Sequence, residues 1–245
     1  MRKQLTLTLA AAACALLIGC SSSNESKKAE EQQAPPAAAA PETPKSAETP
    51  APAETKPPEE NKTASSALPA KAPGVYKVKM DTSKGMVVME CHKAWSPKGS
   101  DHFYDLVKIH FYDGVRFFRV IRGFMAQFGI NGDPNTDKTW ADANIIDDPP
   151  AGQHNTRGMV TYGRTGAPNS RSTQLFINYA NNSRLDPDGF TPVCMVTSGM
   201  EAADEFWAGY GEAPDQGMMH AQGNAYLAAQ FPHLDYIKTA TIVLQ

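Results

Sequence analysis

A break in residue type near position 73 limits where this chain can fold. Between Ser21 and Pro73 there are ten prolines and no Phe, Tyr, Trp, Ile or Val, and Leu68 is the only large apolar residue. Such a stretch cannot bury enough apolar surface to offset its conformational entropy, so it is expected to be disordered. Its prolines stiffen it towards polyproline II, with a ceiling of ~3.1 Å per residue, so roughly fifty residues reach between several tens of Å and about 160 Å. It reads as a tether that holds a domain away from a membrane, with a spacer of no particular length requirement as the close alternative.

The residues before the break read as an export signal. Arg2 and Lys3 form a positive start, Leu5 to Ile18 carries no charge, and the run ends in Leu17-Ile18-Gly19-Cys20. That apolar run is too short for a resident helix across a bilayer core of ~30 Å, which makes it a secretory signal peptide. Leu-Ile-Gly-Cys resembles a bacterial lipobox, in which Cys20 is lipidated and becomes the first mature residue. An ordinary cleavage site beside a cysteine is the plainer alternative. Ser21 follows the lipid site, and the absence of Asp there is similar to outer-membrane sorting signals. The organisation expected is a lipoprotein signal peptide over 1–19, a lipidated cysteine and disordered linker over 20–73, and a folded domain over 74–245. Without Arg2 and Lys3, the 23 basic residues fall to 21 against 26 acidic ones, a net charge of −5. A mildly acidic chain without basic clusters argues against nucleic acid as a partner.

The folded part reads mostly as strand. Tyr76, Val78 and Met80 alternate with Lys77, Lys79 and Asp81, as in a half-buried strand. Thr82-Ser83-Lys84-Gly85 turns into Met86–Cys91, giving a hairpin. Further strands are expected at Val115–Ile121, Phe124–Gly129, Gly158–Tyr162, Gln174–Asn178, Pro192–Thr197 and Tyr236–Leu244. Ser96 and Pro97 suit the start of a helix whose Phe103, Leu106, Val107 and His110 share one face. A second helix is expected where Met200, Ala203, Phe206, Trp207 and Tyr210 repeat that spacing before Gly211. Eight short strands and two separated helices suit a closed antiparallel barrel, mainly β, which exposes no sheet edge. An open sandwich fits this pattern too.

Several chemistries lack support. There is no G-x-S-x-G elbow, the six histidines form no H-E-x-x-H pair, and no Gly-rich phosphate loop follows a strand. No cofactor and no metal are expected. One segment stands out: Phe117-Phe118-Arg119-Val120-Ile121-Arg122-Gly123-Phe124-Met125-Ala126-Gln127, two strand-like runs meeting at Arg122-Gly123 with Arg119 inside an apolar run. Composition alone favours a surface arginine on a core hairpin.

A second segment changes that balance. Thr165-Gly166-Ala167-Pro168-Asn169-Ser170 leads into Thr173-Gln174-Leu175-Phe176-Ile177-Asn178, followed by Leu185-Asp186 and Gly189-Phe190-Thr191. Together the two segments resemble the cyclophilin family of peptidyl-prolyl cis–trans isomerases: the first its F-x-R-V-I-x-G-F-M-x-Q run, the second its P-N-S-x-x-S-Q-F-F-I block with Thr173 for Ser and Leu175 for the first Phe. The resemblance extends from about Val75 to Val243, and Gly209-Tyr210-Gly211-Glu212 and Asn224-Ala225-Tyr226-Leu227 are similar to a bacterial branch. It implies an eight-stranded cyclophilin barrel capped by two helices.

It also implies roles. Arg119 matches the family's catalytic arginine, and Phe124, Met125, Phe176 and Leu185 match its apolar pocket for the proline ring. Gln127 matches the residue that bonds the substrate backbone. Thr165 and Gly166 fall where main-chain groups meet an extended peptide, Gln174 lines the groove, and Phe190 stands where others have His or Tyr. Phe118 replaces a histidine, and Arg184 stands where many members place Trp or Phe. These departures imply weakened cyclosporin affinity with isomerase activity retained; nanomolar inhibition would contradict that. Cys91 ends the second strand, and Cys194 replaces a glycine on a strand that neighbours it in the family barrel. A cross-strand disulfide and two buried free thiols are equally open.

The resemblance therefore implies an isomerase acting on proline-containing polypeptides; with the lipobox-like start, it is expected to be tethered by lipid to the cell envelope at the outer membrane facing the periplasm, assisting exported proteins. Its domain is expected to be monomeric. The rival reading is a module that grips proline-containing segments with little turnover.

Overall fold

The computed structural model describes residues 71–243. The signal peptide, the lipid site at Cys20 and nearly all of the linker fall on residues outside that range. Within it, the hydrophobic alternation becomes one eight-stranded antiparallel sheet. The strands are β1 (Val75–Thr82), β2 (Gly85–His92), β3 (Arg119–Ile121), β4 (Met125–Phe128), β5 (Met159–Tyr162), β6 (Leu175–Asn178), β7 (Pro192–Ser198) and β8 (Ile237–Val243). Their spatial order is β3-β4-β6-β5-β7-β2-β1-β8. Residues just before β3 and around the start of β8 bring the two ends together, with Ile237 N donating to Val115 O (2.8 Å) and Phe117 N to Asp235 O (2.9 Å). The sheet thus curls into a barrel, as the strand count implied.

Side-chain parity sorts the two faces of the wall. Val120, Ala126, Phe128, Val160, Tyr162, Leu175 and Ile177 point into the main core. Aromatic rings fill much of that core: Phe117 stacks on Phe206 at 3.9 Å, and Phe128 meets both Tyr112 and Phe117 edge-on. The opposite parity puts Arg119, Gln127 and Phe176 on the outer face, on consecutive cross-strand pairs. Arg119 faces Gln127, Gln127 faces Phe176, and Phe176 faces Thr161. One rung across four strands therefore brings Phe176 beside Arg119 and Gln127, about fifty residues earlier in the chain.

The first helix, α1 (Pro97–Lys108), buries Phe103, Leu106 and Val107 as expected. Two details differ. Ser96 does not cap it: its hydroxyl donates to Asp148 (2.5 Å), and Asp148 accepts the free Lys98 and Gly99 N–H groups (2.9 Å each). A full carboxylate satisfies several helix-start donors, where a hydroxyl satisfies one. His110 also leaves the apolar face. It takes φ +62° after the helix, with Phe111 N bonded to Leu106 O and His110 N to Val107 O, so Phe111 is buried instead.

The expected helix over Met200–Tyr210 shortens to α3 (Met200–Asp204), following the seven-residue α2 (Pro134–Trp140) in chain order. Phe206 is buried but Trp207 is exposed, because Arg122 donates to the carbonyls of Asp204 and Phe206 and takes the chain out of helical pairing. The structure also holds α4 (Gln216–Gln230), which the apolar spacing did not reveal. Gly223 breaks its regularity at φ +57°; a Cβ there would strike the Gly132 carbonyl. That close approach lets Asn224 N reach Gly132 O (2.8 Å) and seats α4 on the barrel. A second, smaller core results: Phe118, Ile130, Met219, Leu227 and Leu234. Among the described residues the α-helices are therefore not two but four, two of them short.

Cys91 and Cys194 face each other across β2 and β7 and are joined by a disulfide. No helix among the described residues is long and apolar enough to cross a membrane.

Candidate active site

The outer face of the Arg119 rung opens into a hollow of about 290 Å³. The sheet contributes Arg119, Met125, Gln127 and Phe176, and the β3–β4 turn adds Phe124. Connecting segments close the other side with Arg164, Thr165, Gln174, Leu185 and Phe190, and the start of α4 adds Gln216. Nine of the ten pocket residues expected from the sequence are thus brought together. Gly166 is not: it is exposed and lies outside the hollow. The Thr165 N–H is also taken, by Ser170 Oγ at 3.1 Å, while Ser170 Oγ donates to Ala167 O (2.8 Å). The loop bonds to itself and tips Gly166 to solvent.

Arg119 sits at the rim with its side chain 30% exposed. Its guanidinium carbon lies 5.8 Å from the centre of the Phe124 ring, and that of Arg184 lies 4.7 Å from the same ring. Both distances fall within cation–π range. Phe124 is pinned by its carbonyl, which accepts from Tyr179 N (2.8 Å) and Asn182 Nδ2 (2.9 Å). Phe190 meets Phe176 edge-on at 6.0 Å, so its ring extends the apolar floor.

Three of Arg119's nitrogens have partners. Nη1 donates to Gln127 Oε1 (3.2 Å), Nε to Glu212 Oε1 (2.6 Å), and Nη2 also contacts Glu212 Oε1. The amides then continue a chain: Gln127 Nε2 donates to Gln174 Oε1 (2.8 Å), and Gln174 Nε2 to Gln216 Oε1 (3.1 Å). Glu212 and Gln216 went unrecognised as site residues, since one comes from the loop before α4 and the other from its first turn, and both are placed by the packing of α4. The one available signal was Gly209-Tyr210-Gly211-Glu212.

Behind the apolar floor lies a polar hub. Asn155 is fully buried; its Oδ1 accepts from Thr161 (2.7 Å) and Asn178 (3.3 Å), and its Nδ2 donates to Asp186 (2.7 Å) and Phe190 O (2.6 Å). Asn155 therefore ties the sheet to the turn over Ser183–Asp188 that carries Leu185. Burial opposes the Asp186 charge, but hydrogen bonds from the Asn155 side chain and backbone, then from His154, outweigh it and hold the carboxyl below its usual range. Among the described residues no group of three or more His, Cys, Asp or Glu is arranged to hold a metal. What the site offers is the Arg119 cation on the sheet, with Arg164 and Arg184 turned to other partners beside it, amide groups and a greasy recess, suited to holding an apolar ring beside a polar linkage.

A closed antiparallel barrel with a cation and an apolar recess on its outer wall is the architecture of a cyclophilin. Residues 77–218 match the family described as cyclophilin type peptidyl-prolyl cis-trans isomerase/CLD, and the chain belongs to that family. A peptidyl-prolyl cis-trans isomerase of Acinetobacter baylyi is 33% identical over 132 residues, covering 52% of this chain and 70% of that protein. Peptidyl-prolyl cis-trans isomerase B of Escherichia coli is 30% identical over 135 residues, covering 52% and 82%. A crystal structure of the cyclophilin type isomerase from Cryptosporidium parvum superposes with a TM-score of 0.52 at 19% identity, covering 70% of this chain and 99% of that one, a likeness of fold. The chain is a peptidyl-prolyl cis–trans isomerase of the cyclophilin type, and the family acts on proline-containing peptides.

Proposed function

We propose that Arg119 catalyses prolyl isomerisation by donating a hydrogen bond to the substrate's prolyl nitrogen. An X-Pro bond turns over in tens to hundreds of seconds unaided, across a barrier of ~18–20 kcal/mol that reflects lost amide resonance. As the C–N bond twists, the nitrogen becomes pyramidal and regains a lone pair. A donor aimed there stabilises the twisted state more than either planar one, which is what lowers a barrier. Guanidinium fits this role because it is always charged and holds its donors in a rigid plane.

The observation that carries this reading is the shared rung of Arg119, Gln127 and Phe176 around one hollow. Phe124, Met125, Phe176 and Leu185 receive the proline ring. Gln127 keeps a second amide proton and a second lone pair for the substrate backbone. Thr165, Gln174 and Phe190 line the groove for the flanking peptide. No step needs proton transfer or a covalent intermediate. Each tenfold acceleration requires ~1.4 kcal/mol of differential stabilisation, within reach of a charged hydrogen bond in a sheltered recess. Arg119→Ala should abolish turnover in a proline-isomerisation assay while peptide binding largely survives. Wild-type turnover in that variant would sink the assignment.

The cellular setting is part of the same proposal. Cys20 carries a lipid that holds the enzyme at the envelope, at the outer membrane facing the periplasm, where it acts as a monomeric domain on exported polypeptides. The Leu17-Ile18-Gly19-Cys20 box supports this, as does a Cys91–Cys194 disulfide suited to an oxidising compartment. In cells fed a labelled fatty acid, wild type should take up label and Cys20→Ser should not; label retained by the variant would overturn the anchor.

A further inference from the structure

Arg119 stands on a three-residue strand at one end of the spatial order of the sheet, and its side chain is long and only partly covered. Nothing in a short strand by itself holds such a side chain in one orientation, yet a donor that must meet a transient lone pair has to be held in one.

Glu212 supplies that hold. We propose that it is a positioning residue for Arg119, an inference that rests on Arg119 being the group that meets the prolyl nitrogen. Glu212 Oε1 accepts Nε at 2.6 Å and also contacts Nη2, while Gln127 takes Nη1 from the adjacent strand. With all three nitrogens engaged, the guanidinium plane is set, and one N–H on each of Nη1 and Nη2 is left for a substrate.

The loop that carries Glu212 is itself anchored on both sides. Before it, Gly211 N bonds to Ala208 O (3.1 Å), and Tyr210 packs edge-on against Phe231 at 5.1 Å. After it, Ala213 N bonds to Tyr210 O (2.9 Å), Asp215 accepts Met218 N (2.8 Å) and Asp215 N reaches the Tyr226 hydroxyl (3.2 Å). The helix that follows, α4, sends Met219 and Leu227 into the small core around Phe118, the residue next to Arg119. One segment thus grips β3 from behind through Phe118 and holds the Arg119 head group from the front through Glu212.

Stability is a poor explanation for the pair. The Glu212 side chain is 62% exposed, and ion pairs of that kind add little to folding. A carboxylate against the guanidinium also offsets part of its field, which by itself would weaken catalysis. Orientation is the benefit that remains, and geometry outweighs net charge because the lone pair accepts from one direction only.

The test uses the full chain as wild type, Glu212→Gln, Glu212→Ala and Arg119→Ala, with turnover measured on a proline peptide over a range of concentrations. Glu212→Ala should lower kcat by about tenfold with KM little changed, since misplacing a reacting group by ~1 Å can cost up to a hundredfold. Glu212→Gln keeps an acceptor for Nε and should recover most of that loss. In nitrogen-15 spectra the Arg119 Nε–H should exchange slowly in wild type and Glu212→Gln and rapidly in Glu212→Ala, with the unfolding midpoint unchanged throughout. Equal or faster kcat in Glu212→Ala, or a rise in KM alone, would overturn the inference. Full activity in Arg119→Ala would remove the catalytic assignment as well, whereas an inactive Arg119→Ala beside a fully active Glu212→Ala would remove only the role of Glu212.

Discussion

The two walls of the hollow are built on different principles. The sheet wall of Arg119, Met125, Gln127 and Phe176 is aimed by strand parity and pairing register, so a one-residue slip would turn every one of these side chains inward. The loop wall of Thr165, Leu185 and Phe190, completed by Gln216 at the start of α4, has no such register and hangs on single hydrogen bonds and small packing contacts, with Glu212 reaching Arg119 beside it. The cation and floor of the site are therefore set by a cooperative scaffold, whereas its far side can be altered piece by piece.

Asn155 joins the two walls, so its removal should have the largest effect. Asn155→Ala leaves Thr161, Asn178 and the Phe190 carbonyl without their buried partner, and about 3–5 kcal/mol of stability should go. Urea unfolding measures this, and a loss under about 1 kcal/mol would show that the walls are not coupled through that amide. Next comes the disulfide, which braces the sheet away from the hollow. Replacing both Cys91 and Cys194 by Ser should cost about 2–4 kcal/mol while kcat/KM stays near wild type, and a matching loss of activity would refute that separation.

Acid should then distinguish the walls. Asp186 has its folded-state pKa lowered, so its contribution is complete above the ordinary carboxylate value of ~3.9 and is lost as pH falls through the lower folded value. On acidification below about pH 4, amide exchange at Leu185 and Phe190 should rise before exchange at Phe176. Simultaneous loss of protection would contradict this. The smallest effect is expected for Gln216→Ala, the exposed end of the amide chain: less than about threefold in kcat/KM, under about 1 kcal/mol. A larger drop would promote the loop wall to equal standing with the sheet.

A charge–burial balance elsewhere follows the same logic with opposing signs. Burial lowers His102 to about 4, so its contribution is complete above its ordinary value near 6.5 and fades as pH falls towards 4. Burial, reinforced by Asp101, raises Asp105 to about 6, so protonation there favours the fold as pH falls below 6.

How much of this was legible in residue order varies by element. The eight strands could be read because alternation is local: Tyr76, Val78 and Met80 are buried for the same reason they are spaced by two. The start of α1 could be read too, but not its cap, since Asp148 arrives from fifty residues away. Helix α4 escaped because Gly217 and Gly223 lower its helical propensity, Gly223 breaks its regularity, and its buried residues are few. With it went Glu212 and Gln216, whose contacts exist only after α4 docks. The Thr165–Ser170 bond, which turns Gly166 outward, likewise has no counterpart in periodicity.

Residue order by itself determined the strand faces and the compositional boundary near Pro73, both consequences of side-chain chemistry acting over a few neighbouring positions, whereas the rim cation was marked only by resemblance to a family motif. Tertiary structure alone decided which carboxylate meets Arg119, that Cys91 lies beside Cys194, and where the far wall closes. Those depend on chain segments separated by about a hundred residues, and only a closed barrel brings such segments within hydrogen-bonding or covalent distance.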